Sequence, residues 1–249
     1  MNDPVPTNQI LSGQILVPFP MESALSGVKA HSDRAWYQRT FTVPTAWAGQ
    51  RLLLHFDAVD WECEPFLNGV SLGIHRGGFD SFTCDITALA NGFGPQLLTV
   101  RIYDPTDTAA PPIPVGKQSV KFGGYFYTAC SGIWQTVWLE PVPSVNIADL
   151  KLVPDVNNSQ LKVTASVAGA TNGITVNVVA LAGTNVVGTA SGTPGTEFAV
   201  PIPAPTLWSP TNPFLSTFRS HCKTGRQIWI QSRVILECAR STSAPMAVL

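Results

Sequence analysis

The sequence predicts an all-β chain built as two sandwiches in series, and three observations carry that expectation. Charged residues make up only 12% of the chain while glycine and proline number 20 and 21, a balance that favours turns over helices. Short apolar runs recur along its length with period-two alternation, the mark of strands with one buried face. Pro141 and Pro143 fall two apart between two series of such runs, where they stiffen the chain and interrupt strand pairing.

Residues 1–14 are polar and turn-rich and read as a loose lead-in. Residues 15–20 (ILVPFP) form a short strand interrupted by prolines, and 22–27 a surface loop. Residues 34–43 (RAWYQRTFTV) alternate well until Pro44, which cannot continue a ladder. Residues 51–56 (RLLLHF) are apolar enough for a strand buried inside a sandwich. The stretch 57–87 reads as three short strands. Asn68-Gly69 supplies a type I′ hairpin turn, which needs positive φ at both central residues. His75-Arg76-Gly77-Gly78-Phe79 marks a sharp bend, and Phe82, Cys84 and Ile86 then alternate with Thr83 and Asp85. Residues 96–103 give another buried strand and 104–125 a long loop rich in proline and glycine. Residues 134–139 close the first series, with Trp134, Thr136 and Trp138 on one face. The second series is expected at 145–152, 160–167, 174–181, 186–190 and 197–202, at the spacing of a sandwich. The expected division is 1–142, 143–216 and a separate tail, 217–249.

A net charge of −1 gives no reason to expect nucleic acid or an anionic membrane surface as partner. No apolar run approaches the roughly 20 residues of a spanning helix. The opening MNDPVPTNQ has neither a basic nor an apolar leader region, so no signal peptide is expected within this stretch. The default location is the cytoplasm, unless the true start lies upstream. Cys63, Cys84, Cys130, Cys222 and Cys238 form no CxxC pair or Cys/His set with zinc spacing, and neither metal nor cofactor is expected. Cys63 and Cys84 are either buried free thiols or a disulfide.

Several motifs, in order and at their spacing, resemble the N-terminal region of family-2 glycoside hydrolases, the group of β-galactosidases, β-glucuronidases and β-mannosidases. They are PFPMESALSGV at 18–28, VDW at 59–61, LNG at 67–69, HRGGF at 75–79, Phe82 with Asp85-Ile86-Thr87, and LWSPTNPFL at 207–215. The resemblance implies a galactose-binding-like jelly roll followed by an incomplete immunoglobulin-like β-sandwich. It also implies a parent enzyme that hydrolyses terminal β-linked sugars by retaining double displacement. The family's two catalytic glutamates belong to a downstream barrel, so no catalytic residue is assigned here. Glu62, Glu64 and Glu140 read as exposed strand positions. The family's rim loop matches D-P-T-D…G-K-Q, which makes Asp104, Asp107, Lys117 and Gln118 candidate substrate-binding residues. For both aspartates the alternative is a local Asx-turn. His75 reads as structural, Arg76 as a partner of Asp80 or Asp85, and the tryptophans as core anchors or, less simply, sugar platforms. The implied partner is a β-glycoside, with oligomeric state open. The rival from another class is a self-standing carbohydrate-binding or adhesive protein.

The tail differs in composition. Residues 217–249 hold five of the 15 Lys/Arg and a single acid, Glu237. Only 227–238 looks strand-like. Read from the third base of each codon, residues 228–247 can spell LDTVASYFGMREIDVSTNG, which carries the family's SYFGMR motif. Residues from about Ser216 onward are therefore expected to be out of frame and not to pack as native strands.

Overall fold

The computed structural model of the chain describes residues 4–7, 9–90, 92–170, 172–207, 211, 214, 216–223, 232–235 and 247–248. They form two compact units, residues 1–141 with 246–249 and residues 142–245. The strands of the first unit are β1 (Arg34–Thr42), β2 (Arg51–Phe56), β3 (Val59–Asp60), β4 (Glu62–Leu67), β5 (Val70–Ser71), β6 (His75–Arg76), β7 (Phe82–Asp85), β8 (Pro95–Tyr103), β9 (Gln118–Ser119), β10 (Tyr127–Thr128), β11 (Gly132–Ile133) and β12 (Val137–Val142). Those of the second are β13 (Asn146–Asp155), β14 (Gln160–Ala168), β15 (Thr175–Ala182), β16 (Asn185–Gly192), β17 (Phe198–Pro201), β18 (Thr217–Lys223) and β19 (Ser232–Ile235). A last strand, β20 (Ala247–Val248), belongs to the first unit. The fold is all-β, and no helix among the described residues is long and apolar enough to cross a membrane.

The first unit is a sandwich. One sheet runs β1-β8-β4-β5 with β6 also on β4, and the other runs β20-β12-β2-β7. Alternation decides what fills the space between them. Leu52, Leu54 and Phe56 of β2 and Val137 and Leu139 of β12 meet Tyr37, Phe41, Cys63, Leu67, Leu98, Val100 and Ile102 from the facing sheet. Leu53 points the other way and stays half-exposed, so β2 has one buried face rather than two. Trp138 also faces outward, where it stacks on His55 at 3.9 Å. Pro65 sits in β4 where the outer ladder is interrupted, because β5 pairs with Phe66 and Leu67 while β6 pairs with Glu62 and Cys63. A missing N–H is tolerated in that gap. Asn68 and Gly69 both adopt positive φ, 51° and 84°, as the hairpin requires.

Several expectations for the first unit need correction. Residues 6 and 9 are not loose, since Gln38 Nε2 donates to Pro6 O (2.9 Å) and Gln9 O (3.1 Å) and Pro6 is buried. Residues 15–20 form a turn rather than a strand, with Phe19 N donating to Leu16 O. β12 continues through Pro141 to Val142. Arg76 pairs with Glu62, not with Asp80 or Asp85, and Asp85 pairs with Arg51. Glu64 is bound by Arg101, and Glu140 lies 3.2 Å from His55 Nε2, so neither glutamate is a bare strand position. His75 is a short-strand residue stacked on Phe82 at 4.2 Å. For Cys63 and Cys84 one of the two expected readings holds without correction, since both are free thiols, Cys63 buried and Cys84 half-buried.

The second unit packs the sheet β13-β14-β17 against the sheet β16-β15-β18-β19. Leu161, Val163 and Ala165 of β14, Val176, Val178 and Ala180 of β15, and Val200 of β17 build its core. Contrary to expectation, residues 217–223 join it as β18, paired with β15 from Thr175↔Lys223 to Leu181↔Thr217. Phe218, Ser220 and Cys222 face inward with at most 3% exposure, while Arg219 and Lys223 face out. The inward serine and cysteine are small and polar enough to hide this alternation from a hydrophobicity reading. Of the strand expected at 227–238 only 232–235 is described, and most of 207–215, with Trp208, lies outside the described residues. Because β18 lies between β15 and β19, Phe218→Ala is expected to cost about 3–5 kcal/mol in urea denaturation, the usual cost of a buried Phe cavity. An unchanged midpoint would return the segment to the status of an unpacked tail.

Candidate functional site

Residues 104–130 leave β8 and return to the sandwich at β11, and their geometry separates the four candidate residues. Asp104 is still held by the sheet, since its N–H donates to Asp33 O at 2.8 Å. Its side chain is 1% exposed and accepts from Thr106 N at 2.8 Å, an Asx-type turn. Asp104 is therefore closed to an outside ligand, and its role is to shape the loop's departure. Burial raises its pKa, against the lowering effect of the Ser131 hydroxyl and the Thr106 amide. Asp107 is exposed and accepts from Ser119 Oγ (2.5 Å) and Val120 N (3.3 Å). The Ser119 hydroxyl, first among its contacts, holds its pKa below the usual carboxylate value.

Lys117 and Gln118 belong to the opposite limb of the loop. Lys117 is exposed, and its carbonyl accepts from Tyr127 N at 2.8 Å. Gln118 bridges inward: its Nε2 donates to Asp60 Oδ2 (2.9 Å) and its Oε1 accepts from Cys130 N (2.6 Å). β9 and β10 pair in parallel, Gln118 opposite Tyr127 and Ser119 opposite Thr128. The loop is thus braced at its base, while every residue from 120 to 128 is exposed. Its tip carries Phe122, Tyr125, Phe126 and Tyr127, with Tyr125 and Phe126 stacked at 4.5 Å.

Beneath the loop lies a polar cluster that sequence reasoning missed. Glu22 Oε1 is 2.8 Å from His31 Nδ1, and Glu22 Oε2 accepts from Ser131 N at 3.0 Å. His31 Nε2 is 3.0 Å from Asp33 Oδ1. Burial pulls the His31 pKa down, but the Glu22 and Asp33 carboxylates outweigh it and hold the ring above its ordinary value. Asp60 is 3% exposed and its pKa is pushed up to about 6, chiefly by burial, with Asp104 and Glu22 adding and the Gln118 hydrogen bond opposing. A carboxyl at that value suits a glycosidase acid. Asp60 is nevertheless sealed under Gly78, whose carbonyl accepts from Trp134 Nε1 at 2.8 Å, so it is a structural acid. The available signal was a carboxylate between Val59 and Trp61 in an otherwise buried run, which calls for a partner. Among the described residues no set of three or more His, Cys, Asp or Glu is placed to hold a metal ion.

Residues 8–141, which contain this whole arrangement, match the family model described as glycosyl hydrolases family 2, sugar binding domain. The chain belongs to glycosyl hydrolase family 2. It is 34% identical over 112 residues to a protein named β-galactosidase BoGH2A from Bacteroides ovatus, a match covering 45% of this chain and 11% of that protein. It is 31% identical over 83 residues to a β-glucuronidase from Paenibacillus borealis, covering 31% of this chain and 14% of the relative. A solved β-glucuronidase from Ruminococcus gnavus, in complex with C6-substituted uronic isofagomine, superposes with a TM-score of 0.74 at 18% identity. That superposition covers 92% of this family-2 chain and 40% of the solved one, and at this identity it speaks to the fold alone. The chain thus corresponds to well under half of each of these three proteins.

Proposed function

We propose that these 249 residues are the non-catalytic N-terminal portion of a family-2 enzyme that cleaves terminal β-linked sugars, and that the loop 104–127 contributes to the rim of its substrate site. The observation that carries the reading is the braced loop itself, inside a sugar-binding domain, with Asp107 and Lys117 presented to solvent. An ionised carboxylate and an ammonium, both open to solvent on the same loop, suit hydrogen bonding to sugar hydroxyls. Gln118, bonded at both ends of its amide, positions the loop rather than touching substrate. The same reading divides the chain into a sugar-binding jelly roll and an immunoglobulin-like unit that links it to a barrel.

Two measurements test this. The purified chain is expected to release no chromophore from nitrophenyl β-galactoside or β-glucuronide, since the carboxyls with raised pKa, Asp60 and Asp104, are closed to solvent. Grafted in place of the matching region of a family-2 β-glucuronidase, the chain is expected to support hydrolysis. There Asp107→Asn, whose amide oxygen still accepts from Ser119, or Lys117→Ala should lower kcat/KM about tenfold, roughly 1.4 kcal/mol, without shifting the melting temperature. Unchanged kcat/KM in both variants would remove the loop from the rim.

A further inference from the structure

We propose that the cleft between residues 29–31 and the loop 119–129 binds a single acidic pyranose, with the Lys29 ammonium on its carboxylate and the Phe122 ring against its apolar face. The inference rests on the reading of the loop as sugar-facing and adds a site that Asp107 and Lys117 do not form. The cleft has a volume of about 340 Å³ and is walled by Lys29, His31, Ser119, Phe122 and Thr128, with Glu22 at its floor. That volume lies at the low end of ligand sites, suited to one ring rather than a chain of sugars.

Charge selects the kind of ring. Glu22 is bound on both oxygens, to His31 and to the Ser131 amide, and its side chain is only 7% exposed. His31 in turn lies between Glu22 and Asp33. Lys29 is left as the charge in the lining that has no ion-pair partner among the described residues. Its backbone is unusual as well. Lys29 sits at φ 54°, a left-handed conformation that costs a non-glycine residue roughly 1 kcal/mol. The strain is imposed from both sides, because Val28 N donates to Ser26 Oγ (3.0 Å) and Ala30 N donates to Met21 O (3.2 Å). Strain of this kind gathers at ligand clamps.

Phe122 supplies the complementary surface. It is 64% exposed and, unlike a tyrosine, has no polar end to justify its contact with water. A pyranose presents one face of axial C–H groups that covers such a ring, while its equatorial hydroxyls point sideways toward groups such as the Thr128 hydroxyl. A uronate adds a carboxylate at the ring's edge, within the chemistry of Lys29. A half-open ion pair contributes little, so affinity in the millimolar range is expected.

The test titrates the isotope-labelled 249-residue chain with D-glucuronate and with D-glucose, which has the same ring without the carboxylate. Glucuronate is expected to bind with Kd on the order of 1 mM and at least fivefold more tightly than glucose, shifting amide signals at residues 29–31 and 119–129. Lys29→Gly removes the ammonium and relieves the left-handed strain, so its fold should be kept; it should weaken glucuronate about fivefold to tenfold, to the level of glucose. Lys29→Arg should retain the preference, and Phe122→Ala should weaken both sugars. Equal binding of the two sugars, untouched by Lys29→Gly, overturns the acidic specificity while leaving the loop sugar-facing. Absence of binding by either sugar, or shifts confined elsewhere, overturns the site; kcat/KM of the grafted Asp107 and Lys117 variants still decides the rim loop separately.

Discussion

Gly78→Ala is expected to destabilise the first unit by about 3 kcal/mol, at the upper end of what overpacking a core costs. A Cβ at this position would fall 2.5 Å from Asp60 Cγ and closer still to Oδ1. Neither side can yield cheaply. Asp60 is buried and its Oδ2 holds Gln118, while the Gly78 carbonyl is fixed by Trp134 Nε1. Moving Asp60 also loosens Gln118, and with it the base of the loop. The check is a double-mutant cycle in urea. Gly78→Ala alone should lower the midpoint sharply, and adding Asp60→Ala should recover part of the loss by vacating the space. A single variant as stable as the parent would mean that the close approach is not present in solution.

Asp60→Asn should do the reverse and raise stability at neutral pH. In the folded chain the Asp60 carboxyl titrates near pH 6, against about 3.9 in the unfolded chain. Between those values the folded state keeps a proton that the unfolded state has released. Stability contributed by this group therefore falls as pH rises from about 4 to about 6 and is constant above that. A shift of two units corresponds to roughly 3 kcal/mol, of which the amide should recover about 2 at pH 7.5 while still accepting from Gln118 Nε2. Asp104, raised in the same direction, leaves a residual slope of the same sign. Urea midpoints between pH 4 and 8 give the answer. A stability difference between variant and parent that does not grow from pH 4 to pH 8, or a variant weaker than the parent at pH 7.5, would contradict the assignment of Asp60 as a carboxyl strained by burial.

The strands were legible wherever one face is buried, because alternation is written residue by residue. β2 was read to its ends, and β1, β8 and β14 nearly so. β18 was missed because its inward positions include Ser220 and Cys222, which fill space without looking apolar. The candidate site was harder. Asp104 and Asp107 stand three apart in one motif, yet a single backbone hydrogen bond to Asp33 keeps the first in the sheet and leaves the second outside it. The Glu22–His31–Ser131 cluster joins residues up to 109 positions apart, a separation no local pattern records. Sequence exposes periodic burial and turn chemistry, whereas polar networks appear only when the topology closes them.

The Asn68-Gly69 hairpin bears on how the protein ages. Asn-Gly is the dipeptide in which the following amide most readily attacks the asparagine side chain, closing a succinimide that opens to aspartate or isoaspartate. Here the side chain is occupied on both ends. Nδ2 donates to Leu89 O (3.1 Å) and Gln96 Oε1 (2.9 Å), and Oδ1 accepts from Leu97 N (2.9 Å). The native turn thereby shields its own weakest covalent link, and chemical lifetime is tied to conformational integrity. Once the turn opens long enough for the ring to close, the change is self-sealing. An Asn68→Asp conversion sets a carboxylate against two oxygen acceptors that were satisfied by an amide, so the damaged hairpin resists re-forming. A preparation held near its melting temperature thus gains acidic, refolding-defective molecules from Asn68 that a cold one does not, in addition to those arising at the chain's two other Asn-Gly pairs, Asn91-Gly92 and Asn172-Gly173.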